Sequence, residues 1–244
     1  MLYILTMKKD LHPIQELALS ALSGKMKNFY LVGGTALSFF YFHHRESVDL
    51  DFFSSNIEKP AVSELIGLIS AKLGKKAKLV KQQLSKDKAK VLIYVIPITS
   101  KEVLKIDFVQ DFVGLLKPLK VINGINVLSL EDIYVRKIHA IVGTTPVNDL
   151  IGGRFFKGGR QEAKDYYDLF CLSSVFMRLS DFVLKYGNSM IREAIVRWFR
   201  TYERLEIKTG LLELSINKKF DYIEMERHFK KEIATIIKKE VDFT

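Results

Sequence analysis

The sequence predicts an α/β fold, more narrowly α+β: a mixed sheet with flanking helices over residues 1–128, then a mainly helical domain over 129–244. Three observations predict it. Short β-branched and aromatic runs with period-two alternation crowd the first half. Glycine and Asn-Gly turns punctuate them. After Leu128 the apolar residues take helical spacing, with Arg, Lys and aromatic residues intermixed and no comparable strand signal.

His12-Pro13 followed by Ile14, Leu17, Ala18 and Leu22 reads as a helix stopped at Gly24. Phe29-Tyr30-Leu31-Val32 is a short β-prone run closed by Gly33-Gly34, and residues 36–42 read as a helix rich in aromatics. Val48 to Phe53 alternates as a strand. Pro60 then opens an amphipathic helix to about Leu73, with Leu65, Ile66, Leu68 and Ile69 as its apolar face. Further strands are predicted over about 77–84, 91–98 and 103–109, with Lys86-Asp87-Lys88 turning between the first two. Asn123-Gly124 is a hairpin signal between 119–122 and 125–128. Ser129 is an N-cap residue, with Glu131 and Asp132 in the first turn of the helix that follows. The stretch 143–160, with Pro146 and several glycines, reads as a loop before a helix over about 161–173.

Lysine and arginine total 38 against 28 acidic residues, a formal charge of +10 that favours a polyanionic partner such as nucleic acid or nucleotide. The single cysteine, Cys171, excludes an intrachain disulfide framework or a cysteine-based zinc site and suits a reducing compartment. The opening Met1 to Met7 is apolar but shorter than a signal-peptide core, and no later run approaches the roughly 20 apolar residues of a spanning helix. The expectation is a soluble, cytoplasmic protein with no membrane partner.

Period two places Asp49 and Asp51 on one face of a strand while Leu50 points to the opposite layer. Ile106-Asp107-Phe108 is again a lone carboxylate between apolar residues, and a cross-strand position would bring Asp107 to the same ions. Such convergence of carboxylates is what phosphoryl or nucleotidyl transfer with two divalent ions requires. Gly33-Gly34-Thr35 precedes a helix, so its N–H groups can approach phosphate oxygens closely, and Thr35 could add a hydroxyl. Arg45, just before the metal strand, could contact phosphate or pair with Glu46. His43, His44 and His139 are not spaced for zinc and are assigned no catalysis. Trp198 with Arg197 and Arg200 reads as part of an amphipathic core helix, and Cys171 as a buried structural thiol.

The order Gly-Gly-Thr, helix, Asp-x-Asp strand, later lone-Asp strand resembles the nucleotidyltransferase signature of the DNA polymerase β-like superfamily. Leu31-Val32-Gly33-Gly34-Thr35-Ala36-Leu37 and Arg45-Glu46-Ser47-Val48-Asp49-Leu50-Asp51-Phe52 resemble, more specifically, the AbiEii/AbiGii nucleotidyltransferase toxin family. Lys137-Ile138-His139-Ala140, Arg160 and Lys164-Asp165-Tyr166-Tyr167-Asp168-Leu169 look like that family's downstream lysine and Asp-x-x-Asp motifs, so the resemblance extends over about 29–172. It implies a polymerase β-like fold with a cleft between the domains. It also implies Mg2+ or Mn2+ on Asp49, Asp51 and Asp107, a nucleoside triphosphate held with Gly33, Gly34, Thr35, Arg45 and Lys137, and a catalytic set completed by Lys137, Asp165 and Asp168. The implied reaction transfers a nucleoside monophosphate to RNA, possibly the 3′ end of tRNA, by a toxin with a possible cognate antitoxin protein. Transfer to a protein or small molecule, and non-catalytic nucleotide or RNA binding, are the alternative readings.

Overall fold

The computed structural model describes residues 12–85, 87–148, 154–217 and 221–242. Strands form where the alternation predicts them: β1 (Tyr30–Leu31), β2 (Asp49–Ser54), β3 (Lys78–Gln83), β4 (Val91–Pro97), β5 (Val103–Gln110), β6 (Lys120–Ile122) and β7 (Ile125–Val127). They make one seven-stranded sheet in the order β3-β4-β5-β2-β1-β7-β6. β2 runs parallel to β5 and β1 parallel to β7, while the other neighbours are antiparallel, so the sheet is mixed.

The pleat sorts the residues of this sheet. Leu50, Phe52, Leu92, Tyr94, Ile96, Leu104, Ile106 and Phe108 alternate onto one face and are buried. With the buried sides of α1 (His12–Leu22) and α3 (Lys59–Leu73), which pack on each other, they form a core in which each large apolar side chain contributes roughly 1.5–3 kcal/mol. The opposite face carries Asp49, Asp51, Lys105 and Asp107.

Local chemistry fixes the ends of these elements. Pro60 sits in the first turn of α3, and Gly74, at φ +62°, closes its last turn by donating to the Ala71 carbonyl. Asn123 and Gly124 both have positive φ (52° and 76°), as the tight turn between β6 and β7 requires. A side chain at Gly124 would also fall 2.1 Å from Ser23 Oγ.

The chain separates into two compact units: Met1–Thr35 with Ser47–Leu128, and Ala36–Glu46 with Ser129–Thr244. The second is built from α4 (Leu130–Val142), α5 (Ala163–Cys171), α6 (Leu179–Tyr186), α7 (Ser189–Thr201), α8 (Arg204–Glu213) and α9 (Tyr222–Asp242). Ser129 caps α4 as expected, accepting from the Asp132 N–H at 3.0 Å. Tyr134 stacks on Phe182, and Tyr166, Trp198, Tyr202 and Phe229 form an aromatic core, so Trp198 is a packing residue. The carboxylate of Glu232 on α9 accepts from the Ser180 N–H and hydroxyl at the start of α6 and pairs with Arg178. Cys171 is a buried free thiol.

Three differences from the sequence reading are physical. The stretch expected as a loop forms a two-stranded ribbon, β8 (Gly143–Asn148) with β9 (Arg154–Gly158). Thr144, Thr145 and Val147 are β-branched and favour extended backbone, which outweighs the glycine and proline signals. The helix expected over 36–42 begins as a single α-turn, α2 (Gly33–Ala36), and continues as a π-helical stretch, Leu37–Phe42, ending at His43 with φ 49°. A second π-helical stretch, Leu172–Phe176, extends α5. Lys86 of the expected turn, residues 149–153, and the opening Met1 to Met7 lie outside the described residues. No described helix is long and apolar enough to cross a membrane.

Candidate active site

In the first unit, β2 and β5 lie side by side in parallel register that pairs Asp49 with Lys105 and Asp51 with Asp107. Paired residues project from the same face, so the three carboxylates stand together with one lysine among them. Lys105 Nζ donates to Asp107 Oδ2 at 2.6 Å and lies 3.9 Å from Asp49 Oδ2. Burial works against the charge on Lys105. The hydrogen bond to Asp107 and the fields of Asp49, Asp107 and Asp51 more than offset it and raise its pKa. One cation therefore feels all three acids.

The Gly33-Gly34-Thr35 turn borders this face. Gly33 has φ +70°, and a Cβ built there would sit 3.1 Å from Asp51 Oδ2, so both the backbone conformation and the closeness to the carboxylate call for glycine. Val32 N–H donates to the Asp51 carbonyl at 3.0 Å. Thr35 is fully buried: its Oγ1 donates to the Asp49 carbonyl and hydrogen-bonds Ser47 Oγ at 2.8 Å. Its hydroxyl thus fixes the entry of β2.

Carboxylate oxygens are the hard donors that Mg2+ or Mn2+ takes, and Asp107 Oδ1 is buried without a hydrogen-bond partner. Among the described residues no group of three or more Asp, Glu, His or Cys side chains is placed to hold a metal ion by itself. Mg2+ does not require one, since it is commonly held by one or two carboxylates with water and substrate phosphate. The donor set fits such an ion.

The second unit carries a buried ion-pair network. Lys137 on α4 is 5% exposed and donates to Asp165 Oδ1 at 2.7 Å, with Asp168 Oδ2 at 2.5 Å. Arg45 clamps Asp168 in fork geometry, Nε to Oδ1 at 2.7 Å and Nη2 to Oδ2 at 2.8 Å, and its Nη1 donates to the Glu46 carbonyl. The Arg45 guanidinium, which the sequence reading weighed for phosphate or Glu46, thus spends three nitrogens inside this unit. His44 Nε2 adds a fourth donor to Asp168 at 2.7 Å. Arg160 holds Asp165 through Nε and Nη2.

Burial alone would raise both aspartate pKa values. Arg45, Lys137 and the His44 hydrogen bond hold Asp168 well below the usual carboxylate range, and Lys137 and Arg160 lower Asp165. Lys137 is penalised by burial, yet Asp168 and Asp165 raise its pKa.

The residues assigned a catalytic, nucleotide-binding or metal role from the sequence fall in two clusters: Gly33, Gly34, Thr35, Asp49, Asp51 and Asp107 in the first unit, and Arg45, Lys137, Asp165 and Asp168 in the second. Lys105 was missed, and His44, assigned no catalysis, was not tied to Asp168. Lys105 had a usable signal, since Lys105-Ile106-Asp107 puts both charges on one strand face. His44 had none, because its partner is 124 residues away.

The solved structures most like this one include a Helicobacter pylori protein described as a nucleotidyltransferase, with TM-score 0.60, 18% identity and 96% of each chain covered. Another is JHP933 from the same organism, with TM-score 0.58, 17% identity, and 95% of this chain and 94% of that one covered. At such identities the likeness shows the fold. No curated protein matches the chain. The sequence pattern of the family described as "Nucleotidyl transferase AbiEii toxin, Type IV TA system" matches residues 17–243, so it also takes in the last third of the chain, beyond the 29–172 of the motif resemblance. The chain belongs to the AbiEii nucleotidyltransferase toxin family.

Proposed function

We propose that the protein transfers a nucleoside monophosphate from a nucleoside triphosphate to an RNA hydroxyl, with the 3′ end of tRNA as the candidate acceptor, and that Asp49, Asp51 and Asp107 hold the divalent cation this needs. The observation that carries the reading is the register of β2 on β5, which sets these carboxylates on one face around a single cationic centre. In the reaction, the acceptor oxygen bonds to the α-phosphorus, the bond from that phosphorus to the bridging oxygen breaks, pyrophosphate leaves, and the hydroxyl proton passes to solvent. A bound Mg2+ or Mn2+ would supply charge neutralisation for the triphosphate and the developing pyrophosphate.

The protein's own residues set the geometry. Gly33, lacking a Cβ, lets the turn pass close beside Asp51, and Thr35 with Ser47 anchors the backbone of Asp49. Lys105 keeps the carboxylates gathered by hydrogen-bonding Asp107 near Asp49. Lys137, Asp165, Asp168 and Arg45 form the second functional group of the proposal, with Asp168 and Asp165 fixing the ammonium of Lys137. The charge of +10 supports a polyanionic acceptor, and the family supports a toxin opposed by an antitoxin protein.

The test is incubation of the protein with Mg2+, total bacterial RNA and each nucleoside triphosphate in turn, labelled at the α- or the γ-phosphate. α-Label on a discrete RNA, without γ-label, is the expected outcome. γ-Label on the product would make the protein a phosphotransferase, and α-label on protein or a small molecule would replace RNA as the acceptor.

A further inference from the structure

The sheet register extends past the carboxylates to its edge. Lys81 on β3 pairs with Ile93 on β4, Ile93 with Asp107 on β5, and Asp107 with Asp51 on β2. One row over, Lys78 pairs with Val95, Val95 with Lys105, and Lys105 with Asp49. Cross-strand partners share a face. The register shift between Leu79 and Lys81 is what puts both lysines, three residues apart, on the carboxylate side.

With strands about 4.8 Å apart, Lys81 stands about 10 Å from Asp107 and about 14 Å from Asp51 along its row. Between them Ile93 and Val95 offer a half-buried apolar floor, while Lys78 and Lys81 are exposed and, among the described residues, make no ion pair with a carboxylate. The surrounding sequence is strongly basic: Lys72, Lys75, Lys76, Lys78, Lys81, Lys86, Lys88 and Lys90 against Asp87 alone. Lysines on an edge strand also deter sheet-to-sheet pairing, but that role needs neither this density nor a common row with the acids.

We propose that this face of β3 and β4 is the track of the RNA acceptor strand: Lys78 and Lys81 hold backbone phosphates, the apolar floor of Ile93 and Val95 supports the bases, and the strand end reaches the carboxylates. The occupant rests on the RNA-acceptor reading above. Two cations one to three nucleotides from the reacting hydroxyl position the acceptor without touching the reacting atoms.

The experiment measures binding of fluorescein-labelled bulk transfer RNA by anisotropy over about 50 to 300 mM salt, in EDTA and without nucleotide, for the wild type, K78Q/K81Q and K238Q/K239Q. The last removes the same charge from exposed positions of α9. The expected result is weaker binding by K78Q/K81Q, with the slope of log K against log salt shallower by about 1.4 to 1.8, and a near wild-type slope for K238Q/K239Q. Equal weakening by both pairs would mean attraction by net charge alone and would overturn the track while leaving the acceptor reading intact. Unchanged RNA binding in K78Q/K81Q would overturn it too, as it would if the lysines served an acidic protein. A wild type that binds no RNA would remove both, whereas the transfer assay judges the acceptor reading by itself.

Discussion

Single residues carry two demands at once in this chain. Gly33 combines a left-handed backbone with contact distance to Asp51, so Gly33→Ala should cost about 1–2 kcal/mol from the backbone alone and push Asp51 off its position. Urea unfolding should show a lower midpoint at unchanged slope, and transfer should fall with it; a variant as stable and active as the wild type would remove the case for close approach. The glycine turn, Asp49, Asp51 and Asp107 were legible because strand period and turn chemistry are local. Lys105 was legible only in its spacing to Asp107, and the Asp168 partner of Arg45 was not legible, because it lies more than a hundred positions distant.

At the scale of elements, α4, α5 and the segment after the first π-helical stretch are tied by one carboxylate. Asp168 accepts from His44, Arg45 and Lys137, and removing it leaves the buried Arg45 guanidinium without a carboxylate and Lys137 with Asp165 alone. Asp168→Ala should therefore cost about 3–5 kcal/mol, measured by urea or thermal unfolding, and Asp168→Asn somewhat less. The folded-state pKa values of Asp168 and Asp165 lie below the ordinary 3.8, so their stabilisation is complete above that pH and is lost as pH falls through the depressed values. The wild type should lose stability below about pH 4, and Asp168→Asn should show a flatter acid limb; identical acid limbs would contradict the ionised pair. A second tie is Glu232, which holds the start of α6, and Glu232→Ala should cost about 1–3 kcal/mol through the unsatisfied Ser180 N–H. Element positions were largely readable from caps, alternation and Asn123-Gly124. The β8–β9 ribbon was not, since pairing between two weak strands is a tertiary event that glycine and proline mask in one dimension.

For the whole molecule, the sequence divides charge unevenly. The edge of the sheet is lysine-rich while the acids gather in the middle of the same face, an arrangement that in the proposed function would attract a polyanion and present it to the carboxylates. As a member of a toxin family, the wild type should arrest growth when induced in a bacterial host, and Asp49→Ala should not, at equal protein level. The most direct measurement is the rate of α-label transfer to RNA in Mg2+ by the wild type and by Asp49→Ala, with unfolding midpoints recorded for both. The expected result is transfer lower by at least about a hundredfold in the variant, equal to about 3 kcal/mol of barrier, at a retained folded state. Wild-type transfer by a folded Asp49→Ala would contradict the assignment of the carboxylates.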